Sequence, residues 1–375
     1  IKMLVQEKKK TDEKIVSIND TNYKKRIAFI KFASEYLYFL KVEKASGATN
    51  AFSPARLGAD ISKHKLVQEA DIIHLHWINN SFLSIKSLKK LLALKKKFIW
   101  HLQDMWAFTG GCHYSGECKK YENSCGNCPY LRWSNSNDLS ARIWKEKAKI
   151  FKGVDITVVA SSKWLADTAK QSSLFKKFRV LHIPCPIDTE AFKPLDKKET
   201  KKYLGLDPEK EYILFGSMNI ADKRKGFKYF CDSLEILHQT YPLPDTIELL
   251  MFGKPNEEMM KTLPFKVTNW GFIKDTEQLI NIYNASSLFA IPSLEDNLPN
   301  TILESFACGT PVVGFNTGGI PEMIDHFQNG YVAEFLSSVD LAKGIAWILN
   351  HPKGLAQKAR TKAVEKYSNA IVASQ

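Results

Sequence analysis

Short apolar runs rich in β-branched residues alternate with amphipathic stretches along most of the chain. This alternation limits the fold more than any other feature. The runs cover 70–78, 96–102, 155–162, 179–185, 211–217, 247–254, 287–293 and 310–316. They read as strands buried on both faces, as in parallel sheets. Between them, 83–94, 227–241, 276–286 and 301–309 carry apolar residues at helical spacing, and Gly309 is placed as a C-cap. Strands that alternate with helices predict βαβ units, and hence an α/β fold of doubly wound parallel sheets.

The chain has 375 residues, and single cores rarely grow past about 250–300 residues. Two domains are therefore expected. The segment 182–202 holds three prolines followed by a charged run, and new strand periodicity begins at Glu211. It marks the boundary. In open α/β sheets ligands sit at the carboxyl ends of the strands. With two such domains, the cleft between them is the expected site.

The formal net charge is +13. The cations fall in scattered clusters such as Lys24–Arg26, Lys95–Lys97 and Lys145–Lys149, which read as solvated faces and not as a nucleic-acid arm. No nucleic-acid partner is expected. No run of 18 apolar residues is present, so no membrane-spanning helix is expected. The opening segment "IKMLVQEKKKTDEK" has charge but no apolar stretch of export-signal length. With an odd number of cysteines, seven, this points to a reducing, cytoplasmic setting.

Two stretches of the second half carry chemistry. In 211–230 a strand is expected to end at Gly216. A loop then reaches Lys223, Arg224, Lys225 and Gly226, and a helix follows. Three cations beside a helix N-terminus suit a diphosphate, because free N–H groups there already favour anions. In 293–322, "SLEDNLPNTILESFACGTPVVGFNTGGIPE", there is no Lys or Arg. A strand leads through Pro299 into a helix with Asn300 or Thr301 near its cap, a second anion site. Glu304, expected within about the first turn, suits two vicinal hydroxyls such as those of a ribose; taken alone, it reads more readily as an acid opposing the helix dipole. Gly318 and Gly319 allow close approach of backbone to a ligand.

These residues resemble the donor half of a family 4 retaining glycosyltransferase of the GT-B fold, over 211–335. The family's pattern is an acid, seven residues, a glutamate, a small-residue helix, then "G-x-P-V-V" and "G-G-x-P-E". Here Asp296 and Glu304 stand eight apart, followed by "ACGTPVVGFNTGGIPE". "EDNLPNTILE" is similar to bacterial polysaccharide-assembly members, and "IPCPIDTEAFKP" resembles the family's linker. The resemblance implies two Rossmann-like domains facing a central cleft. It also implies a nucleotide-diphosphate-sugar donor, a saccharide or lipid-linked acceptor, and no cofactor or metal required for the chemistry. By the same resemblance Glu304 binds the donor ribose, and Asp296, usually a glutamate, faces the sugar. Lys225 meets the diphosphate. Gly318, Gly319 and the amides after Pro299, from Asn300 and Thr301, line phosphates and sugar. Gly271, Phe272 and Ile273 present backbone to the base. The family often has an arginine after the strand glycine Gly216; here Ser217 stands there, and Arg224 is the candidate replacement.

In the first half, His101 follows a strand within "HLQDMW", with Asp104 and Trp106 close behind. The resemblance puts such a histidine near the sugar, against the alternative of a hydrogen-bonded core residue. His74 and His76 share one strand face by alternation and read as structural. Cys112, Cys118, Cys125 and Cys128 have the spacing C-x5-C-x6-C-x2-C. One pair alone has the spacing of a zinc knuckle, so a structural zinc, free thiols and a disulfide-stapled loop all remain open. The segment "IKMLVQEKKK" resembles the family's second strand, so the expectation is a chain that lacks its first.

The expected domains are 1–188 (acceptor side), 189–355 (donor side), and a closing helix, 356–375, returning towards the first. The expected activity is retaining transfer of a hexosyl group in surface polysaccharide biosynthesis, in the cytoplasm, with peripheral contact to an anionic inner membrane. The alternative is a catalytically degenerate nucleotide-sugar-binding or scaffold protein.

Overall fold

The computed structural model describes residues 1–9, 11–44, 51–241, 246–254, 260 and 262–375; Lys10 of the opening segment lies outside them. The chain forms two compact units, 1–182 and 183–375. The boundary thus falls at the start of the proline-bearing segment, and 356–375 belongs to the second unit. There the helix Leu355–Tyr367 contributes Ala359, Ala363 and Tyr367 to the core. Its Arg360 donates to the carbonyls of Thr189, Phe192 and Ala307.

In the first unit, β1 (Met3–Val5) and β2 (Ile15–Ser17) pair in parallel as a small separate sheet. The main sheet holds β3 (Ile72–Leu75), β4 (Lys97–Leu102), β5 (Ile156–Ala160) and β6 (Arg179–His182), all parallel in that order. Helices Ile85–Leu92, Leu139–Ile150 and Lys163–Gln171 connect these strands. Trp100, Phe108, Phe151 and Phe175 form an aromatic cluster in the core, each burial contributing about 1.5–3 kcal/mol. The expectation of strands buried on both faces fails here. Along β3 and just beyond it, burial alternates, and Ile72, His74 and His76 are exposed. One face of this edge strand is open to solvent.

The second unit is a six-stranded parallel sheet. Its strands are β7 (Glu211–Asn219), β8 (Ile247–Lys254), β9 (Val267–Asn269), β10 (Leu288–Ile291), β11 (Val312–Phe315) and β12 (Gly330–Ala333). Their spatial order is β12-β11-β10-β7-β8-β9. Here the inner strands are buried on both faces over most of their length. Tyr212 and Leu214 of β7 enter one core layer, Ile213 and Phe215 the other, as the two-residue period of a strand requires. The chain starts the sheet at β7, winds outward through β8 and β9, then returns to add β10 on β7's other side. That is the Rossmann order, and its switch point lies between β7 and β10. Both units are α/β with parallel sheets.

Three differences from the sequence reading bear on the site. β7 does not end at Gly216; it continues to Asn219, past a register shift between Gly216 and Asn219. Secondly, the long helix Asn22–Val42 has no regular apolar spacing and was not expected. Finally, Glu304 is the fifth residue of the helix Asn300–Ala307, and the first turn holds no acid. Its carboxylate is therefore not there to oppose the helix dipole, whose effect fades beyond one turn.

Candidate active site

The carboxyl edge of the second sheet gathers most of the expected residues. After β7, Lys223–Lys225 form a 3₁₀ turn whose N-terminus is capped by the Asp222 side chain. Gly226 closes it at φ 68°, where an added Cβ would lie 1.8 Å from the Pro292 carbonyl oxygen. A side chain at 226 would push the turn off the end of β10. Lys225 Nζ lies 2.7 Å from Asp296 Oδ2, and both side chains are partly buried. Arg224 pairs with Asp222 at 2.7 Å, so its charge is already balanced within its own turn. Ser217 is buried inside β7, and its Oγ has no hydrogen-bond partner in the structure; it does not substitute for an arginine.

The loop after β11 clasps the loop after β10. Gly318 has φ 55°, and a Cβ there would stand 1.9 Å from the Asp296 carbonyl oxygen. That oxygen accepts from the Gly319 N–H at 3.2 Å. Thr317 Oγ1 donates to the Leu294 carbonyl at 3.1 Å. The glycine pair is needed first to hold Asp296, and its closeness to a ligand is secondary. Neighbouring Glu295 is held above the usual carboxylate range by burial, against the pull of Arg224.

Helices beginning at Phe227, Asn300 and Ile320 follow β7, β10 and β11, and none has a side-chain cap. Pro299, not Asn300 or Thr301, occupies the cap position of the second. In contrast, Asp275 and Ser337 cap the helices after β9 and β12. Uncapped N–H groups therefore collect around the switch point, where they favour an anion.

Glu304 Oε2 accepts from the Tyr283 hydroxyl at 2.9 Å. Burial pushes the Glu304 carboxyl up, and the tyrosine bond pulls it back down. One carboxylate oxygen is thus fixed by the protein. Tyr283 in turn packs edge-on to Phe252, centroids 6.2 Å apart. The Phe252 ring lies against Gly216, where a Cβ would come within 2.1 Å of it. Gly216 is a packing residue that lets Phe252 brace Tyr283. Tyr283 itself escaped the sequence reading, because it lies 21 positions from Glu304 and no spacing rule links them. Gly271 follows β9; its N–H bonds Asn269 Oδ1 at 2.9 Å and its carbonyl accepts from Gly253 at 2.6 Å. Phe272 is exposed and Ile273 packs on the core, so this turn is internally braced with one aromatic outside.

In the first unit, His101 lies at the carboxyl end of β4, half-buried, with Ser161 Oγ 3.1 Å from its Nε2. Burial brings it down to about 4, helped by His76 and His74. Those two are also lowered, chiefly by burial. The three rings are close neighbours. Asp104 faces inward: it bonds the Trp106 N–H at 2.8 Å, Trp77 Nε1 at 3.1 Å and His113 Nδ1 at 2.6 Å. His113 Nε2 meets Ser53 Oγ at 2.8 Å. This network fastens the loop after β4.

No cysteine among the described residues is in a disulfide. Cys112, Cys118, Cys125 and Cys128 line one cavity with Phe52 and Tyr130. Burial pushes the Cys112 thiol far up, and those of Cys125 and Cys128 up to about 11.

Residues 209–351 match the family described as "Glycosyl transferases group 1". The putative colanic acid biosynthesis glycosyl transferase WcaC of Escherichia coli is 23% identical over 72% of this chain and 67% of its own length. The lipopolysaccharide core biosynthesis mannosyltransferase LpsB of Rhizobium meliloti is 29% identical over 50% of this chain and 58% of its own. An uncharacterized glycosyltransferase of Haemophilus influenzae is 29% identical over 34% of this chain and 37% of its own. The chain thus spans between about a third and two thirds of these relatives' lengths. Sucrose-phosphate synthase from Thermosynechococcus elongatus superposes with a TM-score of 0.61 at 19% identity, over 83% of this chain and 77% of that one. Anabaena HepE, solved with UDP, does so with a TM-score of 0.61 at 15% identity, over 83% and 78%. These likenesses give the fold, that of the GT-B glycosyltransferases. Over residues 209–351 the chain is thus similar to the Glycosyl transferases group 1 family, and the curated relatives it resembles are glycosyltransferases.

Proposed function

We propose that the protein is a retaining glycosyltransferase that moves a hexosyl group from a nucleotide-diphosphate-sugar to a saccharide or lipid-linked acceptor in surface polysaccharide assembly. The observation that carries the reading is the Lys225–Asp296 pair across the β7/β10 switch point, with Glu304 in the helix that follows. An incoming diphosphate competes with Asp296 for Lys225. Its charge is then met by the lysine and by the uncapped N–H groups after Pro299, which also stabilise the leaving group. Asp296, released, accepts from the sugar. Glu304, one oxygen held by Tyr283, offers the other to the ribose. Support for a nucleotide-sugar comes from HepE, solved with UDP and with UDP-glucose; support for the polysaccharide role comes from the printed names of WcaC and LpsB. A thermal-shift screen across UDP, GDP, ADP and CMP sugars tests the reading, followed by Glu304→Gln. Intact donor binding and turnover in that variant would sink it.

Among the described residues no helix is long and apolar enough to cross a membrane. Peripheral contact is supported by the helix Asn22–Val42. It exposes Tyr23, Phe29, Ile30 and Leu37 among Lys24, Lys25, Arg26 and Lys31, a combination suited to anionic lipid. Failure to float with anionic vesicles removes this part.

A second reading, a degenerate nucleotide-sugar-binding protein, is favoured by the short Asp296 and by the buried Ser217 in place of arginine. Nucleotide binding by calorimetry with no hydrolysis or transfer of any donor sugar would select it.

A further inference from the structure

We propose that His74, His76 and His101 form a binding site for a divalent transition-metal ion of the zinc, cobalt or nickel class. Residues two apart on a strand share a face. His74 of β3 and His76 just beyond it accordingly stand side by side, ring centroids 4.4 Å apart. Parallel pairing sets Leu75 opposite Trp100. The next step along both strands brings His101 beside His76, centroids 5.4 Å apart, and 6.0 Å from His74. One ligating nitrogen from each ring lies within 4.8 Å of the other two, and among the described residues no other group of three His, Cys, Asp or Glu side chains achieves this.

Metal–imidazole bonds of about 2.0–2.1 Å draw such nitrogens closer together. His74 and His76 are exposed, so small side-chain rotations close the set. Ser161, 3.1 Å from His101 Nε2, orients the third ring, as the outer partners of metal-bound histidines do. The set is all imidazole. That chemistry favours Zn²⁺, Co²⁺, Ni²⁺ or Cu²⁺ and disfavours Mg²⁺ and Ca²⁺, which take oxygen ligands. Three protein ligands leave a coordination position open to solvent.

The test uses the full chain, stripped with chelator and titrated with Co²⁺ while its visible d–d absorption is followed. One ion binds per chain, without the near-ultraviolet thiolate-to-cobalt band that Cys112, Cys118, Cys125 and Cys128 would produce. His74→Ala and His76→Ala each weaken binding by about tenfold or more, with melting curves in chelator unchanged. Should an alanine variant melt early, His74→Gln and His76→Gln replace it with the same expected loss. Undiminished affinity in the double variant, a spectrum dominated by the thiolate band, or no binding at millimolar Co²⁺ overturns the site. Nucleotide-induced thermal shifts measured in chelator on the same proteins report separately on the donor site.

Discussion

The Lys225 ammonium stands 2.7 Å from the Asp296 carboxylate, joining the turn after β7 to the loop after β10. These two strands are direct neighbours in the sheet although 68 residues of chain separate Asn219 from Leu288. The pair holds together the two loops at the switch point of the sheet.

Separating the partners gives opposite outcomes. Lys225→Ala removes a charge-assisted contact worth about 1.5–3 kcal/mol and weakens nucleoside diphosphate binding by roughly 10–100-fold. Asp296→Asn frees the lysine. It leaves a free nucleoside diphosphate bound as tightly or more tightly, while sugar transfer falls. Calorimetry with UDP, GDP and ADP beside a turnover assay separates the two; equal weakening in both variants would show that Asp296 does not compete for the lysine.

Tyr283→Phe removes the hydroxyl that bonds Glu304. It costs about 0.5–1.5 kcal/mol of stability. The tyrosine bond lowers the Glu304 carboxyl, which burial raises. Its loss lets the carboxyl hold its proton to higher pH. The affinity loss for a nucleoside diphosphate is therefore larger at pH 6 than at pH 8, as titration calorimetry at the two pH values will read.

Gly318→Ala places a methyl group 1.9 Å from the Asp296 carbonyl oxygen at a φ of 55°. Backbone must move, at a cost of roughly 1–3 kcal/mol. Thermal melting falls and donor binding weakens together, because the displaced backbone carries Asp296. A variant that melts early yet binds donor normally would separate the glycine from the site.

Lys147 gives the first unit a measurable pH dependence. It is fully buried, its amine donating to the carbonyls of Trp106 and Thr109 and standing 3.5 Å over the Trp106 ring. Burial brings it down to about 7, against about 10.4 in an unfolded chain. Above pH 7 the folded protein binds fewer protons here than the unfolded chain, so stability rises with pH. The buried thiols reverse the sign above about pH 8.5, where an unfolded cysteine ionises and Cys112, Cys125 and Cys128 do not. Chemical denaturation between about pH 7 and 8.5 will show the rise, and Lys147→Met will flatten it.

Much of the second unit was legible because its signals are local. The apolar runs 211–217, 247–254, 287–293 and 310–316 all coincide with strands of the sheet, since both faces are buried over most of each run. The order of strand, cationic loop and helix singled out Lys225, and the eight-residue spacing Asp296 and Glu304; the structure places all three at the carboxyl edge of the second sheet. The first unit was read less well. β3 is open on one face, and Asn22–Val42 is helical with much of its apolar surface outside, so period and burial no longer coincide.

The sequence by itself determined the α/β alternation, the two-unit division and the acids and cations at the carboxyl edge of the second sheet. Each is a matter of residues near one another in the chain. Tertiary structure alone decided that Lys225 meets Asp296, that Tyr283 holds Glu304, and that Gly318 supports the backbone of Asp296. It also decided that His101 joins His74 and His76, since parallel pairing sets strands side by side with a crossover of a dozen or more residues between them. Spacing along the chain carries no information about which residues end up opposite each other.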